Sequence, residues 1–274
     1  GEKHPSVATR LNNLGGAWKD LGDAKKAIDY FKRALSIDRE IYGERHSKVA
    51  TRLNNLGLAW KDLGDAKKAI DYFKRALSIV EEVYGPKHPN VATTLNNLGL
   101  AWHTLGDAKK AIDYYERALS IVEEVYGPKH PNVATTLNNL GGAWKDLGNA
   151  KKAIGYFKRA LSIDREIYGE KHPSVATRLN NLGLAWKDLG DAKKAIDYYE
   201  RALSIVEEVY GPKHPNVATT LNNLGLAWHT LGDSKKAIEY FRRSCNIYRE
   251  FYGDEHAYTR TTKEWVKALE KKKK

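Results

Sequence analysis

The sequence repeats itself every 42 residues, and this period restricts the possible folds more than any other feature. Histidine recurs at this spacing from His4 to His256, and tryptophan from Trp18 to Trp228, with no insertion between copies. The period defines six full repeats, at 4–45, 46–87, 88–129, 130–171, 172–213 and 214–255, and the start of a seventh. Units that stack on their neighbours form one continuous array, so we expect a single domain over 1–274.

Each repeat carries two apolar stripes with the spacing of an amphipathic helix. In the third repeat, Val91, Leu95 and Leu98 begin the first stripe, and Trp102 continues it. A second stripe begins near Ala111. We therefore expect two helices per repeat, joined by a short turn, with the tryptophans in the core.

The residues between the stripes predict where the helices begin and end. Pro89 suits a first turn, and Asn90 can cap the first helix. Gly106 suits a left-handed position after that helix, and Asp107 can cap the second helix. Gly127, which is followed by proline, ends the second helix.

One hairpin cannot bury two apolar stripes, whereas stacked hairpins can. The sequence therefore predicts an all-α solenoid of six 42-residue helical hairpins. A last helix over 256–270 is expected to cap the array, because Lys263 replaces the leucine of the full repeats and makes the outer face polar. Residues 271–274 are all lysine and are predicted to form a tail.

Composition indicates a soluble protein of a reducing compartment. The 274 residues are 42% hydrophobic and 29% charged, which is ordinary for a chain with a sizeable core. No apolar run reaches the length of a membrane span, and the N-terminus lacks the pattern of a signal peptide. Cys245 is the single cysteine, so no intramolecular disulfide can form. We expect a cytoplasmic protein with no membrane partner.

The net charge of +12 suggests nucleic acid, but its distribution does not. Four of the positive charges lie in the tail at 271–274, and much of the remainder belongs to lysine and arginine pairs on solvated helix faces. No stripe of alternating basic and aromatic residues offers a stacking platform for bases. We therefore expect no specific nucleic acid partner.

The stretch 95–121, LNNLGLAWHTLGDAKKAIDYYERALSI, resembles a tetratricopeptide repeat. The matching residues are Leu98, Gly99, Trp102, Gly106, Asp107, Ala111, Tyr115 and Ala118. The period exceeds that family's usual length of about 34 residues, and the excess falls in a longer second helix and the connector YGPKHPNVAT. This variant resembles the repeats of kinesin light chains and of nephrocystin-3-like and bacterial proteins. The resemblance implies a right-handed superhelical α-solenoid that binds proteins or peptides, with the first helices on its concave surface.

A pair of asparagines in each first helix forms two columns along the array. At about 100° per residue, Asn97 lies opposite the packing side of its helix, whereas Asn96 lies on the flank. The resemblance implies that the second column holds the backbone of an extended peptide, at Asn13, Asn55, Asn97, Asn139, Asn181 and Asn223. The first column, which includes Asn96, can instead bond to the neighbouring helix and fix the spacing of repeats.

Other side chains of the expected groove suggest which peptide it prefers. Apolar contact is expected from Leu58, Leu100, Leu184 and Leu226. At the groove edge, Arg10, Arg52 and Arg178, with nearby lysines, favour an acidic peptide, whereas aspartates such as Asp62 beside them indicate a mixed groove. The lysine and arginine clamp of tetratricopeptide domains that grip a chaperone carboxylate is not present in the matching positions.

No set of residues indicates an enzyme, a cofactor site or a metal site. Every candidate acid or base recurs on the helix surfaces of successive repeats, whereas an active site needs a convergent and asymmetric group. The repeated histidines are expected about 10 Å apart, at the packing distance of helices, and zinc needs ligands about 2 Å away. We therefore expect a non-enzymatic protein without metal or cofactor.

A second hypothesis is a structural scaffold with no ligand of its own. Repeats 1 and 4 differ at only five positions, which is typical of a recently duplicated or an engineered array, and both origins remain open. No residue pattern caps the N-terminal face in the way that Lys263 caps the C-terminal helix. End-to-end self-association through that face is therefore an open alternative.

Overall fold

The computed structural model describes residues 4–271, and this part of the chain forms thirteen helices and no strand. The helices are α1 Pro5–Asp20, α2 Ala24–Tyr42, α3 Ser47–Asp62, α4 Ala66–Tyr84, α5 Pro89–Thr104, α6 Ala108–Tyr126, α7 Pro131–Asp146, α8 Ala150–Tyr168, α9 Pro173–Asp188, α10 Ala192–Tyr210, α11 Pro215–Thr230, α12 Ser234–Tyr252 and α13 Ala257–Lys271. Odd-numbered helices are thus the first helices of the repeats, and even-numbered helices are the second. The predicted all-α hairpins and the C-terminal helix are confirmed.

Contacts between helices divide the chain into two compact units, one ending at Ala143 and one beginning at Trp144. Within each unit the helices pack mainly on the helices that precede and follow them in the chain. Successive first helices, such as α3 and α5 or α9 and α11, also touch. Each unit is therefore a segment of solenoid built from stacked hairpins.

Histidine, and not the residue after proline, caps the first helices. The Nδ1 atom of His88 accepts a hydrogen bond from the backbone N–H of Asn90 at 3.1 Å. The same ring stacks on Tyr84, with 4.3 Å between the ring centroids. This corrects the expected cap at Asn90: the extended backbone of His88 places its ring acceptor over the free N–H groups of the first turn.

The predicted turn between the two helices of a repeat is confirmed. Gly106 has a φ of +87°, which favours glycine, and its N–H bonds to the carbonyl of His103 at 3.0 Å. Asp107 follows as the N-cap and accepts from the backbone N–H of Lys110 at 3.1 Å. Gly127 ends the second helix with a φ of +79°.

The core of each hairpin forms around a glycine and an aromatic ring. Gly57 lies against Phe73 so closely that a Cβ atom there would come within 2.4 Å of the ring. Leucines such as Leu56 are fully buried beside it. The tryptophans are only half-buried, which corrects their expected place in the core, and Lys68 Nζ covers the ring of Trp60 at 4.1 Å.

Helix α13 covers the last hairpin. The ring of Trp265 stacks on Phe241 at 5.6 Å between centroids, and Leu269 is buried beside them. Lys263 lies exposed on the opposite side, as its replacement of leucine predicted. Of the predicted lysine tail, Lys271 is the last residue of α13, and 272–274 lie outside the described residues.

Candidate functional site

The first column of asparagines links successive first helices. Asn96 Nδ2 donates to the hydroxyl of Thr136 at 3.0 Å, and the Thr136 hydroxyl donates to the carbonyl of Asn132 at 2.9 Å. The same bridge joins Asn54 to Thr94 at 3.0 Å and Asn180 to Thr220 at 3.1 Å. These threonines are fully buried, so each hydroxyl both donates and accepts. The predicted spacer role is confirmed for these three asparagines.

Members of the second column lie in different surroundings. Asn97, Asn139 and Asn223 are half-buried and have no hydrogen-bond partner within the described residues. Asn55 is different, because its Nδ2 donates to Asn12 Oδ1 at 2.7 Å. Asn13, in the first repeat, is exposed, and Asn181 is half-buried. At Asn97, Asn139 and Asn223, the column therefore offers amide groups that no other residue among 4–271 uses.

A cleft in the second unit brings several of the predicted groove residues together. Its volume is about 260 Å³, its walls come from α9 and α11, and its floor comes from Val206 and Tyr210 of α10. Asn181, Leu184 and Asn223 line it. The remaining lining consists of Pro173, Thr177, Asn180, Asn216, Thr219 and Thr220. No charged side chain lines the cleft, so its chemistry is that of amides and hydroxyls beside an apolar patch.

The four predicted leucines are half-buried and not fully open to solvent. Leu58, Leu184 and Leu226 each pack along one side against a core cluster of their own unit. Leu100 has a similar exposure. Each side chain therefore leaves part of its surface free for contact with another molecule.

Two of the three predicted groove-edge arginines lie elsewhere. Arg52 Nε bonds to Asp38 Oδ2 at 2.8 Å, and the two side chains are 7% and 1% exposed. Arg178 bonds to Asp164 in the same way at 2.9 Å. This corrects the expectation that Arg52 and Arg178 would face a peptide: each is needed to compensate a carboxylate buried in the preceding helix. Arg10 alone is exposed.

A signal for this pairing was present in the sequence. Where a second helix reads SID, as at Asp38, the next first helix carries arginine, and where it reads SIV, as at Val80, the next first helix carries threonine. Treating each helix alone could not reveal a correlation between two helices of different repeats. The correlation identifies the pair as an interface contact and not as a ligand contact.

The described residues contain no group of three or more His, Cys, Asp or Glu side chains placed to hold a metal ion. The repeated histidines cap the first helices, and from His46 onward each also has a tyrosine stacked on it, as at His130 and Tyr126. Among 4–271, no helix combines the length and the apolar character needed to cross a membrane.

The fold and this site define a class of helical-repeat proteins whose first helices display asparagine, threonine and leucine. A comparison with curated proteins finds no match. The family model of the tetratricopeptide repeat matches residues 6–79, 58–123, 101–145, 143–205 and 184–250. The chain belongs to the tetratricopeptide repeat family, as the resemblance implied.

Solved structures of similar fold include kinesin-light-chain-like repeats. BtubC (BKLC) from P. vanneervenii shares 26% identity, with a TM-score of 0.72 over 84% of this chain and 92% of that one. The nearly identical TPR-like repeats of a kinesin light chain from Podosopora anserina share 18% identity, with a TM-score of 0.65 over 76% of this chain and 98% of theirs. A Rap protein in complex with Competence and Sporulation Factor shares 16%, with a TM-score of 0.64 over 96% and 74%. The last two support the fold alone.

Proposed function

We propose that the chain is a non-enzymatic binding module that holds an extended peptide, or an extended segment of a partner protein, along its first helices. The observation that carries this proposal is the cleft between α9 and α11, where Asn181, Leu184 and Asn223 line one uncharged surface. Tetratricopeptide repeats are typically interaction modules. The Rap protein in complex with Competence and Sporulation Factor supports a ligand-binding use of a similar fold.

The proposed mechanism rests on what an amide and a peptide backbone each require. A primary amide supplies two donors and one acceptor, and an extended backbone presents unpaired N–H and C=O groups at regular intervals. The unpartnered amides of Asn97, Asn139 and Asn223 can meet such groups whatever side chains the peptide carries. Leucines such as Leu184 add contact to one small apolar side chain of the ligand.

The lack of charged side chains in the cleft restricts the class of peptide that we expect to bind there. An acidic preference was expected from Arg10, Arg52 and Arg178, but two of these guanidiniums are neutralised by buried aspartates. The cleft lining itself carries no charged side chain. We therefore propose a neutral peptide with a small apolar residue in preference to an acidic one.

A peptide-library screen followed by substitution tests this function. For a peptide that binds, the Asn181→Ala/Asn223→Ala variant should weaken affinity by about tenfold or more, because each lost hydrogen bond contributes about 0.5–1.5 kcal/mol. The matched control is Asn246→Ala, which removes an exposed amide from α12 outside the cleft. Unchanged affinity in the double variant would show that the asparagines do not hold the ligand.

The second candidate is a structural scaffold without a ligand of its own. The amides of Asn54, Asn96 and Asn180 favour the scaffold function, because they form hydrogen bonds between repeats. Under this function the library would give no specific peptide, and Asn97→Ala would leave every binding assay unchanged. The cytoplasmic location stays a prediction supported by composition alone.

A further inference from the structure

Two clefts between second helices are lined by the same types of side chain. The α8–α10 cleft, in the second unit, has a volume of about 300 Å³, and the α2–α4 cleft, in the first unit, has a volume of about 560 Å³. The α8–α10 cleft is lined by Lys158, Leu161, Ser162, Arg165, Tyr198 and Arg201. The α2–α4 cleft is lined by the equivalent Lys32, Leu35, Ser36, Arg39, Tyr72 and Arg75, and by Glu40. Neither cleft shares a residue with the uncharged cleft between α9 and α11.

The lining of the α8–α10 cleft is positively charged. Lys158, Arg165 and Arg201 line it, and no carboxylate does. Arg165 Nε lies 2.9 Å from Glu170, and Arg201 lies 3.6 Å from Asp197. Both carboxylates are outside the lining, and their side chains are 69% and 67% exposed, so solvent screens them. An anion that enters this cleft therefore meets cationic side chains only.

Equivalent junctions in the same two units are neutralised by a glutamate. Between α4 and α6, Arg117 pairs with Glu81 at 3.0 Å, and between α10 and α12, Arg243 pairs with Glu207 at 2.9 Å. In the two clefts, the position of this glutamate holds an arginine instead. The exchange of glutamate for arginine removes a partner and adds a positive charge, so the two clefts differ from their neighbours by design of the sequence and not by repetition of it.

We propose that the α8–α10 cleft and the α2–α4 cleft each bind a phosphate monoester carried by a side chain of a partner protein. A phosphate monoester has a charge of about −1.5 to −2 at neutral pH and three acceptor oxygens. Arginine donates to phosphate through a planar fork, and lysine adds a compact charge. The cleft also offers the hydroxyls of Ser162 and Tyr198 as donors. A carboxylate, with one charge and two oxygens, would use fewer of these groups.

The surroundings of the clefts favour a single phosphorylated side chain over other phosphates. A nucleic acid needs a continuous line of positive charge along its backbone, and the Arg117–Glu81 and Arg243–Glu207 pairs interrupt such a line. Leu161 adds carbon surface to the α8–α10 cleft. The carbon atoms of a phosphorylated side chain can cover this surface, whereas inorganic phosphate leaves it bare.

Titration of the full chain with N-acetyl-phosphoserine amide, followed by the ³¹P resonance of this probe, tests the proposal. We expect a saturable shift. In the Arg39→Glu/Arg165→Glu variant its initial slope should fall at least tenfold, because the strong charge-assisted hydrogen bonds are lost and each glutamate repels the phosphate. The variant installs the residue that the chain already carries at Glu81 and Glu207, and circular dichroism checks that it folds.

The converse variant, Glu200→Lys/Glu207→Arg, tests the proposal by gain of binding. It gives the α10–α12 junction the lysine and arginine of the α8–α10 cleft. The initial slope should rise to about 1.5 times that of the unmodified chain, since a third independent cleft joins two equivalent ones. This measurement decides the proposal if the Arg39→Glu/Arg165→Glu variant does not fold.

Several outcomes would overturn the proposal. An unchanged slope in either variant would show that the arginines do not bind phosphate. Inorganic phosphate that binds as tightly as the probe would indicate a site for a free ion. Binding of an oligothymidine of about 12 nucleotides that is lost in Arg39→Glu/Arg165→Glu would assign the clefts to nucleic acid. The Asn181→Ala/Asn223→Ala variant should bind the probe normally, so failure here is distinguishable from failure of the proposed peptide cleft.

Discussion

At the scale of single residues, two buried hydroxyl groups stand out. Tyr115 and Tyr199 occupy the position that is phenylalanine in the other full repeats, as at Phe73. Both side chains are fully buried, and neither hydroxyl has a hydrogen-bond partner among the described residues. Burial raises the pKa of both tyrosines, since the phenolate form would lose its hydration. These hydroxyls therefore weaken the core that their rings fill.

We predict that Tyr115→Phe increases the free energy of unfolding by about 1 kcal/mol, because it removes an unsatisfied polar group while keeping the ring. Denaturation by urea, followed by circular dichroism, measures this change. The reverse substitution, Phe73→Tyr, is the matched control and should lower stability by a similar amount. A loss of stability in Tyr115→Phe would mean that the hydroxyl has a partner.

At the scale of helices, the buried ion pairs Asp38–Arg52 and Asp164–Arg178 determine which second helix can pack against which first helix. Arg52→Ala should lower the free energy of unfolding by about 3–5 kcal/mol, because it leaves Asp38 buried and uncompensated. Arg10→Ala, at the same position of an exposed helix face, should change stability by less than about 0.5 kcal/mol. Both values come from denaturant titrations on the full chain.

The double variant Asp38→Val/Arg52→Thr replaces the aspartate and arginine by the valine and threonine that stand at the matching positions of α4 and α5. We therefore expect it to recover most of the stability lost in Arg52→Ala. A double variant as unstable as the single one would show that the surrounding packing, and not the matched pair, sets the stability of this contact.

The aspartates that cap the second helices make stability depend on pH. Asp65 accepts from Lys68 Nζ at 2.9 Å and from the Lys68 backbone N–H at 3.0 Å, and these contacts lower the pKa of its carboxyl from 3.8. The pKa values of Asp107 and Asp191 are lowered in the same way. A lowered pKa in the folded state adds stability above the unfolded value, and this contribution is lost as the pH falls through the folded pKa.

We therefore predict that urea midpoints fall between about pH 5 and pH 2. The triple variant Asp65→Asn/Asp107→Asn/Asp191→Asn should show a shallower fall, because an amide keeps the cap and does not titrate. The chain already contains such a cap, at Asn149 of the fourth repeat. An equally steep fall in the triple variant would assign the acid sensitivity to other groups.

At the scale of the whole molecule, the first and last described helices differ in how they are covered. Since α13 packs on the last hairpin and α1 carries the exposed, charged Arg10, we expect these 274 residues in isolation to be monomeric. Light scattering over a wide range of protein concentration should give the mass of one chain throughout. A mass that rises with concentration, and falls back in Leu14→Lys, would instead support end-to-end self-association.

Most of the fold could be predicted because the period and the spacing of Val91, Leu95 and Leu98 depend on local geometry alone. The histidine caps were missed because the acceptor on His88 becomes apparent only when its backbone is extended and its ring is held by Tyr84. The half-buried state of Trp60 was missed because its cover comes from a lysine in the following helix.

The site was predicted less well, because it depends on contacts between repeats. The angular position of Asn97 on its helix separated it from Asn96, whose amide is used between repeats. The ligand contact of Asn97 stays a prediction. The same angular argument placed Arg52 at the groove edge, where it ignored the carboxylate of Asp38 in the preceding helix. Helical geometry predicts the direction of a side chain. Whether that side chain can contact a ligand depends on the residues of the neighbouring helix.

The two pairings between repeats, aspartate with arginine and valine with threonine, also limit how such a gene can change its number of repeats. Recombination that removes the third repeat, 88–129, would set Val80 against Thr136 and preserve a matched junction. Loss of the second repeat, 46–87, would instead place Asp38 next to Thr94. The carboxylate would then be buried without a compensating positive charge. Copies that look equivalent in the genome are therefore unequal as sites of deletion, and only some shortened alleles would encode a stable protein.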